Sequence, residues 1–242
     1  MTNRRIVLRS CAGFATLLLA GCGGAPSEPV TPPTSLATPT PAEILTAASK
    51  RLAETQTVGF ALDIEGDTFI DSAGTIRLLS ATGDLKRPDS VRTEIRAEVL
   101  KRAITLQLIT IGDQTWLTNI VDGSWGPAPV EFAYRPDVLF DTQNGLGPVM
   151  GRVTDVQRQP DEKIDGVEAY HLLATVPQEV IGPLTYNTIQ GSPVSVDLWV
   201  DRATGDMLRA RLSEPPMSGK TPAVWTFDLM RHGQEVEIEP PG

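Results

Sequence analysis

The side chains here that could make or break a bond are few: histidines at 171 and 232, cysteines at 11 and 22, and thirty scattered carboxylates. A histidine base needs a serine or cysteine nucleophile presented to it, and no Gly-x-Ser-x-Gly elbow occurs. His171 lies in "EAYHLLATV", where Ala169, His171, Leu173 and Thr175 share one face of a predicted strand, the setting of a satisfied core or edge histidine. His232, in "MRHGQ", falls in a predicted turn and is expected to be solvent-exposed. Asp137 and Asp141 stand four apart, as do Asp161 and Asp165, with no histidine or matching acid nearby. They read as solvated faces rather than calcium ligands or a glycosidase pair. "GLGPVMG", Gly145 to Gly151, imitates a dinucleotide loop, but its third glycine comes one place late and Pro148 removes a backbone donor. It reads as a turn bounding a helix. No enzymatic activity, metal or cofactor is expected.

Cys22 stands apart from this inventory. Arg4, Arg5 and Arg9 precede or interrupt the apolar run Ile6 to Gly21, leaving an uncharged core from Ser10 to Gly21. That is too short for a transmembrane helix, which takes about 20 residues, and has the layout of a secretory signal. Leu19, Ala20, Gly21 and Cys22 resemble the lipobox of bacterial lipoproteins. The resemblance implies that the Cys22 thiol receives a diacylglyceryl group and becomes the mature N-terminus. Cys11 leaves with the signal, so the folded part is expected to hold no disulfide and no cysteine-based metal site. Residues 1 to 21 contain three arginines and no acid; without them eighteen basic residues face thirty acidic ones, a balance of −12. This argues against nucleic acid and against a polybasic grip on anionic lipid. Membrane attachment is therefore expected to be covalent, on the extracytoplasmic face of the cell membrane.

These features divide the chain into a signal (1–21), a lipidated cysteine and tether (22–41) and one domain (42–242). The tether "GGAPSEPVTPPTSLATPTP" is too poor in apolar residues to fold. In "TPAE", Thr40 is a predicted N-cap, Pro41 the first helical residue and Glu43 the closure of a capping box. Ile44, Leu45, Ala48 and Leu52 then form a helical stripe ending near Thr55. Beyond it the period falls to two: Val58, Phe60, Leu62 and Ile64 alternate with smaller and polar residues. Similar patterns predict strands at 75–85, 91–99, 104–108, 115–120, 153–159, 168–176, 194–201, 207–212 and 224–230. Asp122-Gly123, Asp165-Gly166 and Thr204-Gly205 supply turns. About ten strands in hairpin succession predict one large, curved antiparallel sheet. Two segments, 135–151 and 178–189, interrupt the strand rhythm and read as short helices or a helical loop pair. The apolar residues of such a sheet fit either a continuous core or the wall of an internal cavity, with Val138, Leu139, Leu146, Val149 and Met150 a plug or a lid.

The order of features resembles the mycobacterial LppX, LprA, LprF and LprG lipoproteins over nearly the whole chain. The resemblance rests on the lipobox, the capped helix "PAEILTAASKRLAETQTVGFALDIEG", the strand start "GDQTWL" and the segment "RPDVLFDTQNGLGPVM". "DGVEAYHLLATVP" and "VDLWVDRATGDMLRARL" complete it. The chain departs from that pattern at Arg135, where an Asp commonly precedes the proline, and in its longer connection "LSEPPMSGKTP". The resemblance implies an α+β fold: a strongly bent antiparallel half-barrel with helices on its concave side, enclosing a hydrophobic cavity, also similar to the LolA and LolB carriers. It implies binding or transport of acylated lipids or glycolipids, without catalysis. A lipoprotein chaperone or envelope sensor built on the same sheet is the alternative, and a membrane transporter is a candidate partner. Phe60, Leu62, Ile104, Leu106, Leu108, Val196 and Leu198 are candidates for the concave wall, and Leu139, Leu146, Val149 and Met150 for the lid.

Overall fold

A computed structural model describes residues 38–69, 74–129, 141, 145–185, 189, 192–215 and 221–242. The first helix, α1 (Pro41–Glu54), starts where the sequence places it. The Thr40 hydroxyl accepts the Glu43 backbone N–H, and Glu43 Oε2 accepts the Thr40 N–H at 2.7 Å, so two otherwise orphaned donors are satisfied. Ile44, Leu45, Ala48 and Leu52 make its buried face. Thr55 then turns extended and the chain enters the sheet.

Six strands follow in hairpin order: β1 (Thr57–Glu65), β2 (Ile76–Lys86), β3 (Ser90–Val99), β4 (Arg102–Ile111), β5 (Gln114–Thr118) and β6 (Trp125–Pro127). After a short helix α2 (Leu146–Met150) come β7 (Thr154–Arg158), β8 (Glu162–Ile164) and β9 (Val167–Val176). The helix α3 (Gln178–Leu184) then leads to β10 (Val194–Asp201), β11 (Met207–Ser213) and β12 (Val224–Met230). All pairings are antiparallel, in the order β6-β5-β4-β3-β2-β1-β12-β11-β10-β9-β7, with β8 added beside β9. Among the described residues the sheet thus has twelve strands, two more than the sequence reading of about ten. It consists of two hairpin-built wings joined by one seam, the pairing of β1 with β12 from Gly59 opposite Met230 to Glu65 opposite Val224.

One end of the sheet is closed by α1. Arg87, in the β2–β3 turn, donates from Nε to the Thr55 carbonyl at 2.8 Å and from Nη2 to the Leu52 carbonyl at 3.3 Å. Arg51 Nε meets Asp206 Oδ1, beside the β10–β11 turn, at 2.8 Å. The Arg87 bonds satisfy the Leu52 and Thr55 carbonyls at the end of α1, and together with the Arg51–Asp206 pair they tie the helix to both wings. "GLGPVMG" forms α2 itself instead of a turn beside a helix. Pro148 is tolerated because it stands in the first turn, where the N–H it lacks would have had no intrahelical acceptor. Gly147 lets α2 lie directly on α1: a Cβ there would stand 3.1 Å from the Ser49 carbonyl and 3.2 Å from Ala53. The Ser49 hydroxyl donates to the Gly147 carbonyl at 2.7 Å. Gly147→Leu is therefore expected to push α2 off α1 and cost about 1–3 kcal/mol of stability, read as a lowered urea midpoint at unchanged slope.

Candidate functional site

Residues directly opposite one another in an antiparallel pair point to the same side, so the register assigns the two faces of the sheet. Leu62 stands opposite Ala81 and Phe227, Ala81 opposite Ile95, and Ile95 opposite Leu106. Phe60 stands opposite Gly83 and Leu229, and Thr93 opposite Leu108. On the other wing Val196 lies opposite Ala174 and Leu212, and Leu198 opposite Leu172 and Ala210. Phe60, Leu108, Val196 and Leu198 share one core cluster with Ile44, Leu45, Ala48 and Leu52 of α1, so theirs is the face covered by the helices. By register Leu62, Ile104 and Leu106 share it, which puts all seven wall candidates on one side.

Coverage of that face is uneven. Near α1 the rung Val58, Leu85 and Val91 is sealed, at 1% exposure or less, and on the next rung Leu229, beside Phe60, is 3% exposed. Farther along the strands the rung of Leu62, Ala81, Ile95 and Phe227 is only half-buried, as are Leu78, Ile104, Leu212 and Trp225. The result is an apolar wall sealed at the α1 end and half-covered toward the β3–β4 turn, where these half-buried positions alternate with the buried Ile64, Ala97 and Leu106. Val149 and Met150 are buried in the core and Leu146 packs against it. Leu139, Arg135 and Cys22 lie outside the described residues. Two clefts of about 240 Å³ each do not belong to this wall. One runs along Thr57, Gly59, Asp84 and Arg231, the other along Thr82, Arg92, Gln107 and Trp125.

Sequence reasoning missed Ala81, Ile95, Leu212, Trp225 and Phe227 as wall residues. For Phe227 and Trp225 the signal was present in "VWTFDLM", whose alternation is regular. Ala81 and Ile95 acquire their position only from register with Leu62.

The histidines are accounted for by structure. His171 points to the opposite face, stacked on Trp199 with ring centroids 4.5 Å apart. Its Nε2 donates to Asp197 Oδ1 at 2.8 Å, and Trp199 Nε1 donates to Glu162 Oε2 at 3.0 Å. Asp197 and the Glu162 oxygen 3.4 Å from Nδ1 lie beside different ring nitrogens, so they do not converge on one ion. Among the described residues no group of histidine, cysteine and acid side chains is placed to hold a metal. What the cluster does is fasten β8 over Trp199, where Ile164, Ala169 and Leu208 complete a small apolar patch.

His232 is not in open solvent as expected. The tail after β12 folds back, with the Gly233 N–H donating to the Thr57 carbonyl at 2.8 Å and the Thr57 hydroxyl to the Gln234 carbonyl at 2.6 Å. Its Nε2 is buried without a partner. Burial pushes the imidazole below the ordinary histidine range, against the pull of the nearby Asp206 carboxylate. The charged form is therefore disfavoured in the fold. Above a pH of about 6.5 the group is neutral folded or unfolded and contributes nothing. As pH falls through that value the unfolded chain takes the proton first, and stability declines until the folded group also titrates. His232→Gln is expected to flatten this decline in urea midpoints measured from neutral pH downward. The half-buried Asp84 and the buried Asp206, held below the ordinary 3.8 by their arginine partners against the cost of burial, lose their stabilisation only at lower pH.

An open, bent antiparallel sheet with helices laid against one apolar face, sealed at one end, defines a half-barrel class of fold. The chain belongs to the LppX_LprAFG lipoprotein family, which matches residues 40–238. It is similar to the "Lipoarabinomannan carrier protein LprG" of Mycobacteroides abscessus, 22% identical over 100% of this chain and 99% of the relative. It is also similar to the "Putative diacylated glycolipid transporter LprF" of Mycobacterium tuberculosis, 24% identical over 80% of this chain and 74% of the relative. Crystal structures share the fold. LprF from Mycobacterium bovis superposes with a TM-score of 0.68 at 19% identity, over 84% of this chain and 98% of that one. LppX from Mycobacterium tuberculosis gives 0.60 at 15%, over 82% and 98%. Among the described residues no helix is long and apolar enough to cross a membrane.

Proposed function

We propose that this chain is a membrane-anchored extracytoplasmic lipoprotein that binds and transfers acylated lipids or glycolipids along the half-covered apolar wall. Residues 1–21 are the signal, Cys22 the lipidated anchor, 22–41 the tether and 42–242 the binding domain. The observation that carries this reading is the rung Leu62, Ala81, Ile95 and Phe227, apolar across four neighbouring strands yet only half-buried. A folded domain ordinarily buries such a rung under its own side chains; a binding site keeps it for a ligand. The names of the relatives, a lipoarabinomannan carrier and a diacylated glycolipid transporter, support an acylated cargo.

Mechanism follows from the cost of exposing a chain. At about 0.8 kcal/mol per methylene, a chain of ~16 carbons resists leaving a bilayer by about 12 kcal/mol. Passage through water is then negligible, whereas exchange between bilayer and an apolar wall of similar affinity is nearly balanced. Phe60, Leu62, Ile104, Leu106, Leu108, Val196 and Leu198 act as wall in this scheme. Leu146, Val149 and Met150 bound the site on the helical side, and Leu139 is the remaining candidate for the lid. A membrane transporter is the partner that would deliver or take the lipid.

The test is organic extraction and mass spectrometry of the protein purified without acylation. Co-purifying acyl lipid, or uptake of a fluorescent lipid, is the expected result. A lipid-free protein that takes up none overturns the proposal, and a stoichiometric complex with another lipoprotein in its place assigns the sheet to a chaperone. In cells, Cys22→Ala is expected to move the protein from the membrane fraction to the soluble one.

A further inference from the structure

Folding buries large apolar side chains, and among the described residues four remain conspicuously exposed: Leu100, Ile120, Val121 and Val167. Three of the four sit at hairpin tips on one end of the sheet. Leu100 and Lys101 make the β3–β4 turn, and 119–124 the β5–β6 turn. Because β5 pairs with β4 as Leu108 with Leu117, both tips point the same way. They mark the half-covered end of the wall: Ile104 stands two residues into β4 from the tip.

Neither tip is explained by the fold. Leu100 (φ 50°) and Lys101 (φ 63°) occupy two successive left-handed positions, which asparagine and glycine take with least strain. A leucine there is strained and 85% exposed, so the packing of the fold gives it no role. At the other tip the polar groups turn inward. Asn119 Oδ1 accepts the Val121 N–H at 2.8 Å, and Asp122 Oδ1 accepts the Ser124 N–H at 3.0 Å and its hydroxyl at 2.7 Å. Ile120 and Val121 are left outward, Val121 at 89% exposure. Lys101 and Arg102 are exposed and enter no ion pair among the described residues, while the neighbouring Glu98 is paired with Arg77 at 3.2 Å.

We propose that these two tips dock the domain on a lipid bilayer, with Leu100, Ile120 and Val121 entering the apolar interface and Lys101 and Arg102 meeting anionic headgroups. Two separate prongs with basic flanks suit a deformable surface. A stable protein interface instead buries roughly 800 Å² per partner, and these prongs offer three apolar side chains. The contact supplements a covalent anchor and brings the half-covered wall to the bilayer, so that a lipid can move between them without crossing water. Only this use rests on the carrier reading; docking itself is measured without cargo.

The experiment uses the chain from residue 22 carrying Cys22→Ala, unacylated, sedimented with vesicles of phosphatidylcholine or of phosphatidylcholine mixed with phosphatidylglycerol. Binding to the mixed vesicles, weakened by salt, is expected. Leu100→Asn with Val121→Asn should lower it at least about tenfold while the melting temperature stays equal or rises, since asparagine tolerates the left-handed turn. Equal binding by that variant overturns the proposal. So does absence of binding by the parent chain, even if acyl lipid is extracted from it, a result that would leave the carrier reading standing. Loss of a protein complex in the variant, with vesicles ignored by the parent, assigns the tips to a protein partner and also overturns it.

Discussion

Gly83→Val is expected to leave the chain unfolded, and Gly83→Ala to cost more than about 3 kcal/mol, a large part of the 5–15 kcal/mol typical of a domain. A Cβ on Gly83 would lie 2.0 Å from the Arg92 carbonyl oxygen and 2.9 Å from the Thr93 Cα. Both obstacles are backbone of the paired strand, held in place by the ladder from Ile76 opposite Val99 to Lys86 opposite Ser90. No rotamer change can relieve the clash. On the next rung of the same two strands Leu85 and Val91, paired with each other, are fully buried. Gly126 of β6 is the internal control: nothing stands within 4 Å of a Cβ there, and Gly126→Ala should be nearly neutral. Circular dichroism and urea unfolding of the three variants decide the matter. A folded Gly83→Val with an ordinary midpoint would mean that β2 and β3 do not approach as described.

Leu62→Asp should reduce acyl-lipid uptake by about a hundredfold while leaving a folded protein. Leu62 sits between Ala81 and Phe227 on the wall, and a carboxylate there must lose its hydration when an acyl chain covers it. In the free protein the position is only half-buried, so the charge keeps water and the fold tolerates it. Asp63, the next residue, points to the other face opposite Ser80 and Thr226. Asp63→Leu should therefore leave uptake unchanged. Parallel titrations with a fluorescent fatty acid compare the two, and equal uptake by Leu62→Asp and the parent would remove the wall as the binding surface.

Much of the sheet was readable because strict alternation survives wherever one face is buried. Val194–Asp201 and Val224–Met230 are bounded as the sequence predicts, and α1 starts at the residue its capping box indicates. The three-residue strands β6 and β8 were not legible, since so short a segment has no period and exists only through its partner. His232 failed for a different reason. A turn motif predicts exposure from local chemistry, whereas the burial of this ring comes from a tail folded back on Thr57, far away in sequence. The wall was half legible: each strand showed which residues travel together, but the side facing the helices is decided by α1, and degree of coverage is a tertiary property.

The seam between β1 and β12 carries a consequence for the order of folding. Each wing is a succession of hairpins whose contacts are local, while Gly59 must find Met230 across almost the whole domain. Closing so long a loop carries an entropic cost that grows only slowly with length, yet it makes such a contact late and rate-limiting. A chain delivered N-terminus first can assemble its first wing at once. It must then hold the free edge of β1 unpaired until the last strand of the sheet arrives, an interval in which that edge is open to strands of other molecules.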